Sequence, residues 1–154
     1  MKPKKILTVI PMTQTQKSRL KQILPNAECL YTTISEVTRE QAQIILGNVP
    51  ADMIQASENL DWLHLNSAGY EPYVQKGVLR PHTLLTNSSG AYDKAVAEHM
   101  FAMLLSLQKK LHLYRDNQKR HLWGNEGDVV SITDATILIL GAGNIGKYFA
   151  GLSH

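Results

Sequence analysis

A chain of 154 residues is long enough for one ordinary domain with an appendage and too short for two complete α/β domains; 44% hydrophobic and 19% charged residues is a globular composition. A net charge of +3 scattered along the chain forms no basic stripe, which argues against nucleic-acid binding, and a single cysteine excludes an internal disulfide or a thiol metal cluster. The longest apolar run, Met100 to Leu105, falls far short of the roughly 18 residues of a membrane span. The start Met1-Lys2-Pro3-Lys4-Lys5 has no secretory pattern, so the expected compartment is the cytoplasm.

Short β-like runs alternate with short amphipathic helices over the first eighty-odd residues, the pattern of a parallel sheet covered on both faces. Strands are expected at Lys5 to Ile10, Ala27 to Tyr31, Ile44 to Leu46, Trp62 to Asn66 and Thr83 to Thr86. Cys29, in the second of these, reads as a small buried apolar residue. Thr13 with Gln16, and Thr38 with Gln41, have capping-box spacing and mark helix starts. Pro50 suits a first helical turn, because its missing N–H needs no partner there, and a short helix through Ala56 follows.

From Tyr92 a single long helix is expected to run toward Asn117. Its first half is apolar almost all round, which calls for burial on more than one side; beyond Leu107 it turns amphipathic. Residues 119–134, with Gly124 and Gly127 among acids, read as a loop. Ala135-Thr136-Ile137-Leu138-Ile139-Leu140 has the continuous apolar character of a strand buried on both faces, and Gly141-Ala142-Gly143-Asn144-Ile145-Gly146 follows it directly into a helix.

A GxGxxG is weak alone, but between a strand and a helix it becomes a dinucleotide fingerprint. Gly141 permits the tight turn, Gly143 lets the backbone approach a pyrophosphate, Gly146 lets helix and strand pack closely, and the N–H groups of Asn144 and Ile145 point at the anion. A second loop, Asn66-Ser67-Ala68-Gly69-Tyr70, closes the fourth strand, where parallel sheets bind ligands. It is either a plain turn or a carboxylate cradle made of the Ala68 and Gly69 amides. Glu98 with His99 reads as a dipole-favoured, partly solvated first helical turn, and His64, His82, His112 and His121 show no metal-ligand spacing.

The segments Ile45-Leu46-Gly47-Asn48-Val49-Pro50, Leu60 to Gly69, Gly90-Ala91-Tyr92-Asp93-Lys94-Ala95-Val96-Ala97-Glu98-His99 and Leu140 to Gly146, in this order, resemble the NAD(P)-dependent D-2-hydroxyacid dehydrogenase family over essentially the whole chain. The resemblance implies an α/β protein: a flavodoxin-like substrate domain over 1–90, an interdomain and dimerisation helix over 91–118, a loop over 119–134, and the first β-α of an incomplete Rossmann domain over 135–154. Substrate lies in the interdomain cleft of that family. Matched residue by residue, the Ala68 and Gly69 amides correspond to substrate-carboxylate contacts and Tyr92 lies near the cleft. Val96 lines the nicotinamide side, and Gly141, Gly143, Asn144, Ile145 and Gly146 form the pyrophosphate loop.

The family's catalytic histidine, its orienting carboxylate and its carboxylate-binding arginine lie downstream of the glycine loop and have no counterpart before His154. The chain is therefore expected to be a truncated relative, inactive by itself, with no catalytic residue and no metal site, whose half nucleotide site holds NAD or NADP weakly. Its expected partners are a small 2-hydroxy or 2-oxo acid and a second copy docked through the 95–115 helix and the 135–150 tail. A non-catalytic dimerisation module is the rival reading, since a lone apolar strand with unpaired edges invites association. An intact small flavodoxin-like binding protein needs a phosphate loop after its first strand, and Pro11-Met12-Thr13-Gln14 offers no glycine there.

Overall fold

The computed structural model describes residues 3–37 and 42–154, so the capping box expected at Thr38 and Gln41 lies outside the described residues. The chain divides into two compact units, Met1–Ser89 and Gly90–His154, taken here one at a time.

The first unit is built on a five-stranded, all-parallel sheet of order β2-β1-β3-β4-β5, with β1 at Lys5–Thr8, β2 at Glu28–Tyr31, β3 at Ile44–Leu46, β4 at Trp62–His64 and β5 at Leu84–Thr86. The register aligns Leu7, Ile45, Leu63 and Leu85 in one row across the sheet. Leu7, Ile45 and Leu63 join Val49, Ile54, Leu60, Leu65 and Tyr73 in the buried core. The strands are shorter than expected at one or both ends except β3, which matches. Helix α1, Gln14–Ile23, opens on the expected capping box: Thr13 Oγ1 accepts from Gln16 N at 3.3 Å and Gln16 Oε1 accepts from Thr13 N at 2.8 Å. Pro50 sits at the N-cap of the one-turn helix α2, Ala51–Ile54, rather than inside it, and the helix stops short of Ala56, whose φ of +54° is left-handed. Cys29 is half-buried, not buried, because β2 is an edge strand with no neighbour on one side.

The second unit corrects the single long helix. Helix α3 runs over Asp93–Gln108 and α4 over Leu111–Lys119, with Lys110 between them at φ +54°. No proline or glycine marks this break. Its cause is tertiary: the Lys109 ammonium donates to the Val130 carbonyl at 2.8 Å and that of Lys110 to the Glu126 carbonyl, tying the two lysines to the 119–134 loop. The apolar first half of α3 is not buried on several sides either; Ala97 is its only buried residue, and Met100, Met103 and Leu107 are exposed.

Helix α5, Asn144–Leu152, packs on α3 through Phe149, which is buried and meets Phe101 edge to face with ring centroids 6.1 Å apart. This part of the tail is thus ordered against its own chain and needs no second copy. Residues 135–140 are not a strand: they have no strand partner among the described residues, and Leu138 and Leu140 are 82% and 89% exposed. An apolar run becomes a buried strand only when neighbours supply both edges, and this unit has no sheet.

Candidate functional site

Strands β3, β4 and β5 lie side by side and end level, so the loops that leave them meet at the C-terminal edge of the sheet. An asparagine follows each: Asn48, Asn66 and Asn87. Asn48 N donates to Asn66 Oδ1 at 2.9 Å while Asn66 N donates to Asn48 Oδ1 at 3.0 Å, a reciprocal pair that locks the β3 and β4 loops together. Gly47 makes the approach possible. Its φ is +122°, and a Cβ there would stand 2.5 Å from Val9 Cγ2.

The loop Ser67-Ala68-Gly69 has its backbone acceptors engaged and its donors free. The Ser67 carbonyl accepts from Ser88 N at 3.0 Å, the Ala68 carbonyl from Asn87 Nδ2 at 2.7 Å and the Gly69 carbonyl from Ser67 Oγ at 3.3 Å. Asn48 Nδ2 donates to Ser67 Oγ at 2.9 Å, fixing that hydroxyl in turn. Among the described residues the N–H groups of Ala68 and Gly69 have no hydrogen-bond partner, and both residues are exposed. The next amide, Tyr70 N, already holds a carboxylate, Glu71 Oε2, at 2.9 Å. Free donors beside fixed carbonyls are an arrangement that can receive a carboxylate, here against the negative charge of Glu71 on the same loop.

A hydrogen-bonded relay supports this edge from below. Trp62 Nε1 donates to Thr86 Oγ1 at 2.8 Å, Thr86 Oγ1 lies 2.9 Å from His64 Nδ1, His64 Nε2 lies 3.3 Å from Ser88 Oγ, and Ser88 Oγ donates to the Leu65 carbonyl at 2.9 Å. The one proton of the Ser88 hydroxyl goes to the Leu65 carbonyl, which leaves its lone pairs to face His64 Nε2. His64 is thereby a link between the β5 end and the Ser88 loop, and no group of three or more metal-ligating side chains occurs among the described residues.

In the second unit the glycine loop opens helix α5 as expected, without the strand expected before it. Gly141 has φ +108°, in the region that favours glycine. A Cβ on Gly146 would stand 2.0 Å from the Gly141 carbonyl oxygen, so only glycine lets the helix start so close to the turn. Gly143, the N-cap of α5, has nothing within 4 Å of the space a Cβ would fill. The first turn of α5 contains no acidic residue and no side chain caps it; the first backbone bond back to the cap is Lys147 N to the Gly143 carbonyl at 3.0 Å. The amides of Asn144, Ile145 and Gly146 precede that bond and stand at the positive end of the helix dipole.

Tyr92 and Val96 are exposed, Tyr92 as the N-cap of α3 and Val96 in its first turn. Glu98 does not stand in a first turn as expected: α3 begins at Asp93, and Glu98 pairs with Lys94 at 3.8 Å across one turn. The sequence reading passed over Asn48, Asn66 and Asn87 as structural elements of the Ala68-Gly69 loop. The signal that could have found them is an asparagine at or just past the end of three consecutive predicted strands.

No family model matches the chain. Among solved structures it is similar to a D-isomer specific 2-hydroxyacid dehydrogenase family protein from Aeromonas salmonicida, at 25% identity and TM-score 0.79, covering 97% of this chain and 50% of that one. A D-lactate dehydrogenase from Aquifex aeolicus, complexed with NAD and lactic acid, shares the fold at 22% identity and TM-score 0.78 over 97% of this chain and 47% of its own. So does a D-isomer specific 2-hydroxyacid dehydrogenase from Xanthobacter autotrophicus in complex with NADPH and MES, at 17% identity and TM-score 0.67 over 98% and 50%. The resemblance read from the sequence is borne out, and the chain spans about half the length of the solved structures it matches.

Proposed function

We propose that this chain, which has the fold of the D-isomer specific 2-hydroxyacid dehydrogenases, supplies ligand-binding parts of that chemistry: the Ala68 and Gly69 amides for the carboxylate of a small 2-hydroxy or 2-oxo acid, and the Gly141–Gly146 loop for the pyrophosphate of NAD or NADP. The observation that carries the reading is the loop whose carbonyls are all engaged while its Ala68 and Gly69 N–H groups stay unpaired. At the glycine loop the open face of Gly143 and the uncapped amides of Asn144, Ile145 and Gly146 support an anion of the same kind. Tyr92 is assigned to the substrate and Val96 to the nicotinamide by the family pattern.

Held by the Gly141–Gly146 loop, NAD or NADP would supply hydride chemistry at the carbon bearing the hydroxyl or carbonyl. What these residues contribute is orientation, which is worth about 7–11 kcal/mol of barrier when complete. The proton-exchanging histidine and the arginine of the family pattern have no counterpart among these 154 residues, whose proposed part in the chemistry is binding. Among the described residues no helix is long and apolar enough to cross a membrane.

Titration of the ¹⁵N-labelled chain with pyruvate and, separately, with NADH tests this. Pyruvate is expected to shift the Ala68 and Gly69 amides, and NADH those of Asn144 to Gly146. Saturating ligand that leaves both sets unmoved overturns the proposal.

Self-association is a second reading, favoured by one observation. Val96, Met100, Met103 and Leu107 are all exposed and follow the 4-3-4 spacing of a coiled-coil seam along α3. A homodimer formed along this stripe is expected to dissociate when Met103 and Leu107 are both changed to glutamate, which sedimentation velocity reads directly.

A further inference from the structure

We infer that Asn87 and Asn48 are positioning residues for carboxylate recognition, acting through the peptide that joins Ala68 to Gly69; this rests on the substrate reading above. The Asn87 side-chain amide donates to the Ala68 carbonyl at 2.7 Å. That carbonyl and the Gly69 N–H belong to one peptide group, so a proton donated to the oxygen draws electron density through the plane and makes the N–H a stronger donor. The bond also fixes the peptide plane and therefore the direction in which Gly69 N–H points. Asn87 is fixed in turn, since its Oδ1 accepts from Ser89 N at 3.3 Å.

Asn48 acts on the other side of the loop. It holds the Asn66 backbone through its carbonyl oxygen at 3.0 Å and the Ser67 hydroxyl through its amide nitrogen at 2.9 Å, and that hydroxyl donates to the Gly69 carbonyl. The Ala68-Gly69 pair is thus held from its two ends by amides of two different strands' loops. A loop so held loses little freedom when a carboxylate arrives, and the cost of ordering it is already met by the fold. Neither asparagine needs to touch the ligand.

The test uses the full ¹⁵N-labelled chain with Asn87→Ala, Asn87→Asp and Asn48→Ala, and sodium pyruvate as the probe. Asn87 lies at the exposed rim, so its variants report on the loop with the core intact. In Asn87→Ala without ligand, the Gly69 ¹⁵N resonance is expected to move upfield and the backbone order parameters of Ala68 and Gly69 to fall, while those of Leu7 and Leu63 hold. With pyruvate, the dissociation constant read at Ala68 is expected to rise roughly three- to tenfold, the range set by one net hydrogen bond. Asn87→Asp keeps the shape and the Ser89 bond but has no donor, and should weaken binding at least as much. Asn48→Ala should lower the same order parameters from the Ser67 side.

Unchanged order parameters and an unchanged Gly69 shift in Asn87→Ala overturn the inference, whatever pyruvate does. If pyruvate moves neither amide in the unsubstituted chain, the carboxylate reading fails and the ligand-free measurements alone decide the role of Asn87.

Discussion

Replacing Gly146 with alanine sets a steric demand that the second unit cannot meet in place. The new Cβ would stand 2.0 Å from the Gly141 carbonyl oxygen and 3.2 Å from its carbon, and both are backbone atoms with no rotamer to yield. Relief requires the start of α5 to retreat by about 1 Å. A retreat of that size forfeits roughly a quarter to a half of the dispersion energy at the contacts it opens. The contact it opens is the edge-to-face pair of Phe149 with Phe101, worth about 0.5–1.5 kcal/mol beyond its buried area. Added to the usual 1–3 kcal/mol of overpacking, the expected loss is about 1–4 kcal/mol.

For a unit the size of Gly90–His154 that corresponds to a fall of several degrees or more in its unfolding midpoint. Thermal unfolding followed by far-ultraviolet circular dichroism measures it, with Gly143→Ala as the internal control. Gly143 has φ −72° and open space where a Cβ would go, so alanine there leaves the midpoint within about 2 °C while obstructing the approach of a pyrophosphate. Gly146→Ala unfolding at the unsubstituted midpoint would refute the reasoning. So would NADH binding that survives Gly143→Ala undiminished.

Tyr73→Phe leaves the Val49 carbonyl without the buried hydroxyl that donates to it at 3.0 Å, and should cost about 1–2 kcal/mol in urea denaturation with no change in slope. The Glu36 carboxyl is held below its ordinary range by bonds from the Thr32 hydroxyl first, then from the Thr33 N–H and hydroxyl. Because the folded value is the depressed one, the stability this carboxylate adds is fully present above the ordinary carboxyl range near about pH 4.3 and is lost as pH falls through the lowered value. The Thr33 amide resonance should report that titration, and in Glu36→Gln it should stay flat. Glu71→Gln removes a negative charge bonded to the amide next to the Ala68-Gly69 pair, and should tighten pyruvate binding severalfold at low salt and less at high salt. Equal affinity at low salt would count against the carboxylate site.

What the sequence disclosed and what it hid divides along the range of the interactions. The five strands were visible because each is a short β-forming run between turn residues, and in three of them Leu7, Ile45 and Leu63 line the buried core. The Thr13–Gln16 box was visible because both of its bonds close within three residues. The break at Lys110 was hidden because lysine favours helix, and the carbonyls that hold the two lysines come from Glu126 and Val130. Residues 135–140 were misread for the complementary reason: composition reports a preference for burial and cannot report whether neighbours exist. At the site, Ala68, Gly69 and the glycine loop were found from local pattern. The Asn48–Asn66 pair depends on β3 and β4 being neighbours across eighteen positions, which only topology decides.

The left-handed turn at Lys110 also acts as a ruler. The exposed stripe on α3 advances from Val96 to Leu107, and its next seam position, three residues on, is Lys110 itself. The helix changes direction where the seam would have had to take up a charge. A partner laid along the stripe can therefore engage no more than about 24 Å of helix, the length of sixteen residues at 1.5 Å each. Contact of that extent suits a pairing that forms and parts with concentration, and it sets a finite end to association that an unbroken apolar helix would have left open.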